Sequence, residues 1–133
     1  MGYEESAQKV SVVAGATFST GDYGKGCVLN SNGHVVLPNT TGNVLPFGVI
    51  LEATASTSST GSQAIAIGVG GVVPVRMAAS TIAAGGFVGF STAGLGQAPS
   101  SDAYTFGIVK SGSSGAVNRI LPVLVARGPL DTP

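Results

Sequence analysis

The sequence of 133 residues predicts an all-β domain, a small pseudo-duplicated β-barrel or sandwich with an N-terminal arm. Three observations predict it. Bulky Ile65, Ile67 and Val69 alternate with Ala64, Ala66, Gly68 and Gly70, which is the period-two pattern of a strand with one bulky and one smooth face. Glycine, at 21 residues, is over twice as frequent as the usual figure of about 7%, which disfavours helices and suits tight turns. Short passages also recur about sixty residues apart, the mark of a duplicated unit.

Residues 1–14 form the expected arm, beginning with the charged segment Met1–Lys9, a terminus that is either frayed or ordered by docking on a partner. A hairpin follows. Gly26-Cys27-Val28-Leu29 and His34-Val35-Val36-Leu37 flank Asn30-Ser31-Asn32-Gly33, whose Asn-Gly pair tolerates the positive φ of a tight turn. Phe47–Leu51 and Ala64–Gly70 read as strands on either side of the Ser/Thr-rich loop Thr54–Ser62. Val72–Met77 reads as another, with Pro74 placing it at a sheet edge or at a strand start. Met77–Ala84 is the one candidate for a helical turn, stopped by Gly85-Gly86. Phe87–Phe90, Phe106–Val109 and Ile120–Ala126 complete the strands, with Pro122 subject to the same edge rule, and residues 128–133 form a Pro-closed tail.

The repeat divides residues 15–127 into two related β-meanders, about 15–76 and 77–127. Gly26-Cys27-Val28 answers to Gly86-Phe87-Val88, Asn32-Gly33-His34 to Ala93-Gly94-Leu95, and Phe47-Gly48-Val49-Ile50 to Phe106-Gly107-Ile108-Val109. Offsets of 60, 61 and 59 keep these in one register. Past a shorter loop, Gly61 and its strand answer to Gly115 and the strand ending at Arg127.

Charge is scarce. Asp, Glu, Lys and Arg make up 9% of the chain, against about 25% in ordinary globular proteins. Between Glu52 and Asp102 the only charged side chain is Arg76, and the net charge is zero. A free monomer keeps itself soluble with interspersed charge, so a surface this neutral points to burial against other protein. Part of the gap belongs to the smooth Ala/Gly face where one repeat ends and the next begins. Balanced charges spread along the chain give no phosphate-neutralising cluster, so nucleic acid is not an expected partner. Nor is a membrane: apolar Ala64–Val75 is shorter than the roughly 20 residues of a spanning helix, and polar residues and glycines interrupt Met77–Ser101. The acidic start Met1-Gly2-Tyr3-Glu4-Glu5 lacks the apolar core of a secretion signal.

Catalytic, cofactor-binding and metal residues are not expected, and the chain reads as a non-enzyme. His34, the sole histidine, follows a turn, and Cys27, the sole cysteine, lies in an apolar strand where a small buried hydrophobe is the default. Asp22, Cys27 and His34 do not make a metal-ligand spacing. Gly21-Asp22-Tyr23-Gly24-Lys25-Gly26 lacks the Ser or Thr after lysine, and the helix, of a phosphate loop. Gly68-Val69-Gly70-Gly71 continues as strand, unlike a dinucleotide fingerprint. The sequon Asn39-Thr40-Thr41 has meaning only in a secreted chain.

The succession Gly26–Val35, Phe47–Ala53, Ile82–Val88, Phe106–Val109, Ser114-Gly115 and Val123–Val125 resembles tailed-bacteriophage capsid decoration (cement) proteins, over about residues 15–127. That resemblance implies a homotrimer bound to the outer surface of the assembled head in the virion, made in the host cytoplasm. It further implies that the protein bridges neighbouring major capsid subunits and needs no cofactor. It identifies no interface residues. The other reading is a β-rich fibre or adhesin module binding a receptor or glycan, which suits the Ser/Thr/Asn loops. Sugar sites commonly use aromatic platforms, however, and this chain has only Tyr3, Tyr23 and Tyr104 besides phenylalanine.

Overall fold

A computed structural model of the chain describes residues 7–38, 46–54, 63–78, 82–99, 104–112 and 115–129. Its strands are β1 (Gln8–Val13), β2 (Gly26–Leu29), β3 (Val35–Val36), β4 (Gly48–Ile50), β5 (Ala64–Gly70), β6 (Val72–Arg76), β7 (Phe87–Phe90), β8 (Gly96–Gln97), β9 (Tyr104–Val109) and β10 (Ile120–Pro129). A 3₁₀ turn at Thr20–Asp22 precedes β2. The strands form two five-stranded antiparallel sheets, β1-β5-β4-β2-β3 and β6-β10-β9-β7-β8. The all-β expectation holds, as a sandwich of two sheets rather than a closed barrel.

The two sheet orders are the same order five strands apart. Equivalent hydrogen bonds carry the match down to single atoms. Ala14 N–H donates to Gln63 O and Met77 N–H to Arg119 O, while Gly24 N–H donates to Ile50 O and Gly85 N–H to Val109 O. Parallel bridges Ala14↔Val35 and Met77↔Gly96 tie the first strand of each sheet back toward the last, so each sheet curls without closing. The hairpin after β2 and its counterpart after β7 are built alike. Gly33 N–H donates to Asn30 O and Gly94 N–H to Ser91 O. Asn30 Oδ1 accepts from the Asn32 and His34 amides, and Ser91 Oγ from the Ala93 and Leu95 amides. Only the glycine of each turn takes a positive φ, 77° at Gly33 and 82° at Gly94, so the Asn30–Gly33 loop closes without positive φ at Asn32.

Several expectations need correction. The segment 1–14 expected as an arm supplies β1, whose Val10, Val12 and Val13 pair antiparallel with Ile67, Ile65 and Ala64 of β5; residues 1–6 lie outside the described residues. The second unit opens at Val72 rather than at 77, because β6 pairs with β10 and not with the first sheet. Neither unit is a simple meander, since β5 lies between β1 and β4. Strand pairing sets Gly26 opposite Val49 and Phe87 opposite Ile108, so Gly26 corresponds to Phe87, one residue on from the Gly86 that its letters match. Met77 is a bridge residue rather than the start of a helical turn, and residues 79–81 of that segment lie outside the described residues. Pro74 sits on the edge strand β6 as expected, but Pro122 lies inside β10, between β6 and β9. Its carbonyl accepts from Lys110, one residue past the end of β9, so its missing N–H falls where that ladder has already ended.

Each sheet encloses its own core. The first buries Ala14, Phe18, Cys27, Val35, Ile50, Ile65 and Ile67. The second buries Val73, Val75, Met77, Ile82, Val88, Phe106, Val109, Leu121 and Val123, together with Val49 from the first sheet. Phe90 packs on Phe106 with ring centroids 5.0 Å apart at 55°, a tilted aromatic pair. Gly48 and Gly107 show why the Phe-Gly pair occurs twice. A Cβ on Gly48 would strike the Gly68 carbonyl oxygen, and one on Gly107 the Leu124 carbonyl oxygen.

Replacing Gly48 or Gly107 with Ala is therefore expected to cost about 1–3 kcal/mol each as overpacking, seen as a lower urea midpoint. Gly115→Ala, where nothing lies within 4 Å, leaves the midpoint unchanged. Unchanged midpoints for both strand variants would contradict the close strand approach.

Candidate functional site

The residues with chemical potential are held apart. Cys27 is fully buried, with its Sγ 3.4 Å from the Gly48 carbonyl. Val28 faces Val36 and Leu29 faces Val35, so His34 lies at the turn end of the hairpin and Cys27 toward the other. Glu52 accepts the Ala66 amide at 2.9 Å, and Asp22 binds Lys25. Among the described residues there is no cluster of three His, Cys, Asp or Glu side chains that could hold a metal. No described helix is long and apolar enough to cross a membrane. Glu4, Glu5, Asp102, Asp131, the sequon at Asn39 and the body of the Ser/Thr loop, 55–62, lie outside the described residues.

The most specific arrangement is the joint between the two sheets. It begins at the 3₁₀ turn, where Asp22 Oδ2 accepts the Ser19 amide at 2.9 Å and Asp22 Oδ1 meets Lys25 Nζ at 2.9 Å. Burial pushes the Asp22 carboxyl up, but the Lys25 ammonium and the Ser19 donors outweigh it and hold it below its ordinary value of 3.8. This clasp fixes the segment Tyr23–Gly26, which faces the second sheet. There Arg76 donates twice, from its amide to Gly24 O at 2.9 Å and from Nε to Tyr23 O at 2.8 Å. The one charged side chain of residues 53–101 is thus half-buried and hydrogen-bonded to a backbone carbonyl of the first sheet. Gly26 N–H donates to Gly94 O at 2.8 Å.

Glycine makes this approach possible. A Cβ on Gly24 would lie 2.9 Å from the Arg76 nitrogen, and one on Gly94 2.8 Å from the Gly26 oxygen. One on Gly26 would lie 2.5 Å from Cγ of Phe90, and one on Gly68 2.9 Å from Cγ1 of Val73. Backbone therefore meets backbone, with Phe90 laid over Gly26 and Val73 over Gly68. The sequence presents Gly21–Lys25 as a phosphate loop that fails and Gly26 as a strand start, neither of which points to a joint. The usable signal was Gly24 and Gly26 crowded with glycine in one repeat while the other carries Phe87.

Outside the joint, the exposed large hydrophobic residues among those described are Val10, Leu29, Phe87, Val117 and Leu124. No family model matches the chain, and neither a curated protein nor a solved structure matches it.

Because the folded Asp22 pKa lies below the unfolded one, its contribution to stability is fully present above 3.8 and is lost as pH falls through the lower folded value. The Tm difference between the wild type and Asp22→Asn should accordingly be constant from about pH 7 to 5 and shrink on acidification below about pH 4. A gap that stays constant down to pH 2 would rule out the clasp.

Proposed function

We propose that this protein is a non-enzymatic capsid decoration protein of a tailed bacteriophage. In this reading it binds the outer surface of the assembled head as a homotrimer and bridges neighbouring major capsid subunits. The observation that carries the reading is the scarcity of charge: residues 53–101 hold one charged side chain, Arg76, half-buried and hydrogen-bonded to the Tyr23 carbonyl. The sequence resemblance to decoration proteins points the same way, and the two-sheet β architecture is compatible with it.

The mechanism requires only shape and rigidity. Two sheets locked through backbone hydrogen bonds form a body that loses little freedom on docking. Several identical footprints on one oligomer then convert weak individual contacts into stable attachment. The attachment opposes head expansion because the clamp must break at several subunits together.

Purified protein mixed with undecorated, expanded heads should co-sediment with them and raise the temperature at which the heads release DNA. Absence from the pellet across a concentration series that saturates known decoration sites would overturn the reading.

A further inference from the structure

The two halves of the internal joint are unlike: the first sheet offers Gly24, Gly26 and Gly68, and the second offers Val73, Arg76, Phe90 and Gly94. A joint between unlike faces of repeated units is head-to-tail, and it leaves one face of each kind open at the ends of the pair. Strand pairing states which residues those are. Gly24, Gly26 and Gly68 of the first sheet correspond to Gly85, Phe87 and Leu124 of the second. Val73, Arg76, Phe90 and Gly94 of the second correspond to Val10, Val13, Leu29 and Gly33 of the first.

The open residues behave as an unmade copy of the joint. Gly24 and Gly94 are buried and crowded, whereas Gly85 and Gly33 are exposed, with nothing within 4 Å of a Cβ on either. Gly26, Gly68 and Val73 are buried, whereas Phe87, Leu124 and Val10 are 51%, 47% and 40% exposed. Leu29, the counterpart of Phe90, is 43% exposed. Val49 is fully buried in the other sheet's core, and its counterpart Ile108 is only half-buried. Four of the five exposed large hydrophobic residues among those described are therefore accounted for; Val117, on the 116–119 turn, is the fifth.

We propose that copies of this chain associate head-to-tail, the Gly85–Phe87 and Leu124 face of one seated on the Val10, Leu29 and Gly33 face of the next. Phe87 meets Leu29 as Gly26 meets Phe90, a large residue exchanged for a small one on one side and a smaller for a larger on the other. Leu124 meets Val10, and because leucine replaces Gly68 the contact between chains opens wider at this end than the internal one. Phe87 N–H donates to the neighbour's Gly33 carbonyl, and the neighbour's Val13 amide to Gly85 O, repeating the internal backbone bonds. The Arg76 to Tyr23 contact has no counterpart, since Val13 stands in its place. The contact stands independently of the capsid reading, and it supplies the surface through which that reading's trimer would form.

Cysteine pairing tests it, using the full-length protein without capsids. A Cβ on Gly26 falls 2.5 Å from Phe90 Cγ, so the equivalent Leu29→Cys and Phe87→Cys side chains come within disulfide reach across chains. Native Cys27 is fully buried and does not compete. Mixing the two single variants under mild oxidation should give a 29–87 cross-linked pair, while either variant alone gives none. Cross-linking of either variant with itself would mean a two-fold contact and overturn the proposal. So would a mass of 13.0 kDa at every concentration in light scattering. The surface variant Phe87→Asp should keep the wild-type Tm of the dissociated chain and weaken association at least about tenfold. Equal association by Phe87→Asp would likewise overturn the proposal. The double cysteine variant reads ring size: a cross-linked ceiling at three chains supports the trimer, any other ceiling above one chain keeps the head-to-tail contact while overturning the trimer, and no cross-linking between chains overturns both.

Discussion

The structure depends on backbone meeting backbone where the two repeats join. In a chain with few charges, a joint cannot be held by ion pairs, and long polar side chains are scarce. Gly26 N–H on Gly94 O and Arg76 N–H on Gly24 O do that work with groups every residue carries. Such bonds form only if the main chains come closer than side chains ordinarily permit, and the glycines at 24, 26 and 94 remove the obstructing Cβ atoms. The desolvation cost is then offset, because each donor leaves water only to meet an acceptor already in place. Phe90 and Val73 supply the apolar cover that keeps water out.

The same joint explains how two copies of one unit came to differ. Where the repeats do the same task, the chemistry is kept even when the residue changes: Asn30 Oδ1 and Ser91 Oγ each accept two amides of their own hairpin. Gly48 and Gly107 are both retained because each abuts a neighbouring carbonyl. Where the repeats face different surroundings, they diverge. Gly26 lies under Phe90 and must be small, while Phe87 faces outward and is under no such limit. The joint thus accounts for the divergence at Gly26 and Phe87, and the neighbouring carbonyls for the constancy of Gly48 and Gly107.

Much of this was legible in the sequence. Period-two alternation located β5, the Phe-Gly recurrence located β4 and β9, and the turn at Asn30–Gly33 located the hairpin. What escaped was decided by pairing over long distances. Gln8–Val13 follows directly on the charged start and so reads as part of an arm, and its pairing with β5 makes it a strand. Val72–Arg76 looks like the close of the first repeat because it follows β5 directly, yet it pairs with Ile120–Leu124 of β10. Letters misaligned Gly26 with Gly86 for a related reason: glycine recurs often enough that identity is weaker than register. Of the joint, the glycines were visible as composition, but nothing local says that Gly24 will sit under Arg76.

The neutrality of residues 53–101 divides along the same line. Val73, Val75, Val88 and Gly94 are buried within the second sheet or against the first, so their lack of charge is ordinary interior. Phe87 is not interior, and neither are Val10 and Leu124 on either side of that stretch. A chain of zero net charge that leaves such residues exposed gains little from electrostatic repulsion between copies, and the proposed contact would cover them. A head-to-tail contact covers them fully only if it closes into a ring; an open series leaves one sticky face at each end and grows. Closure demands a fixed angle per contact, and an angle is held by rigid units rather than by large apolar area. Backbone hydrogen bonds at the internal joint give that rigidity. In the proposed ring, the glycines that look like weakness in the composition are what allows the exposed apolar residues to be tolerated.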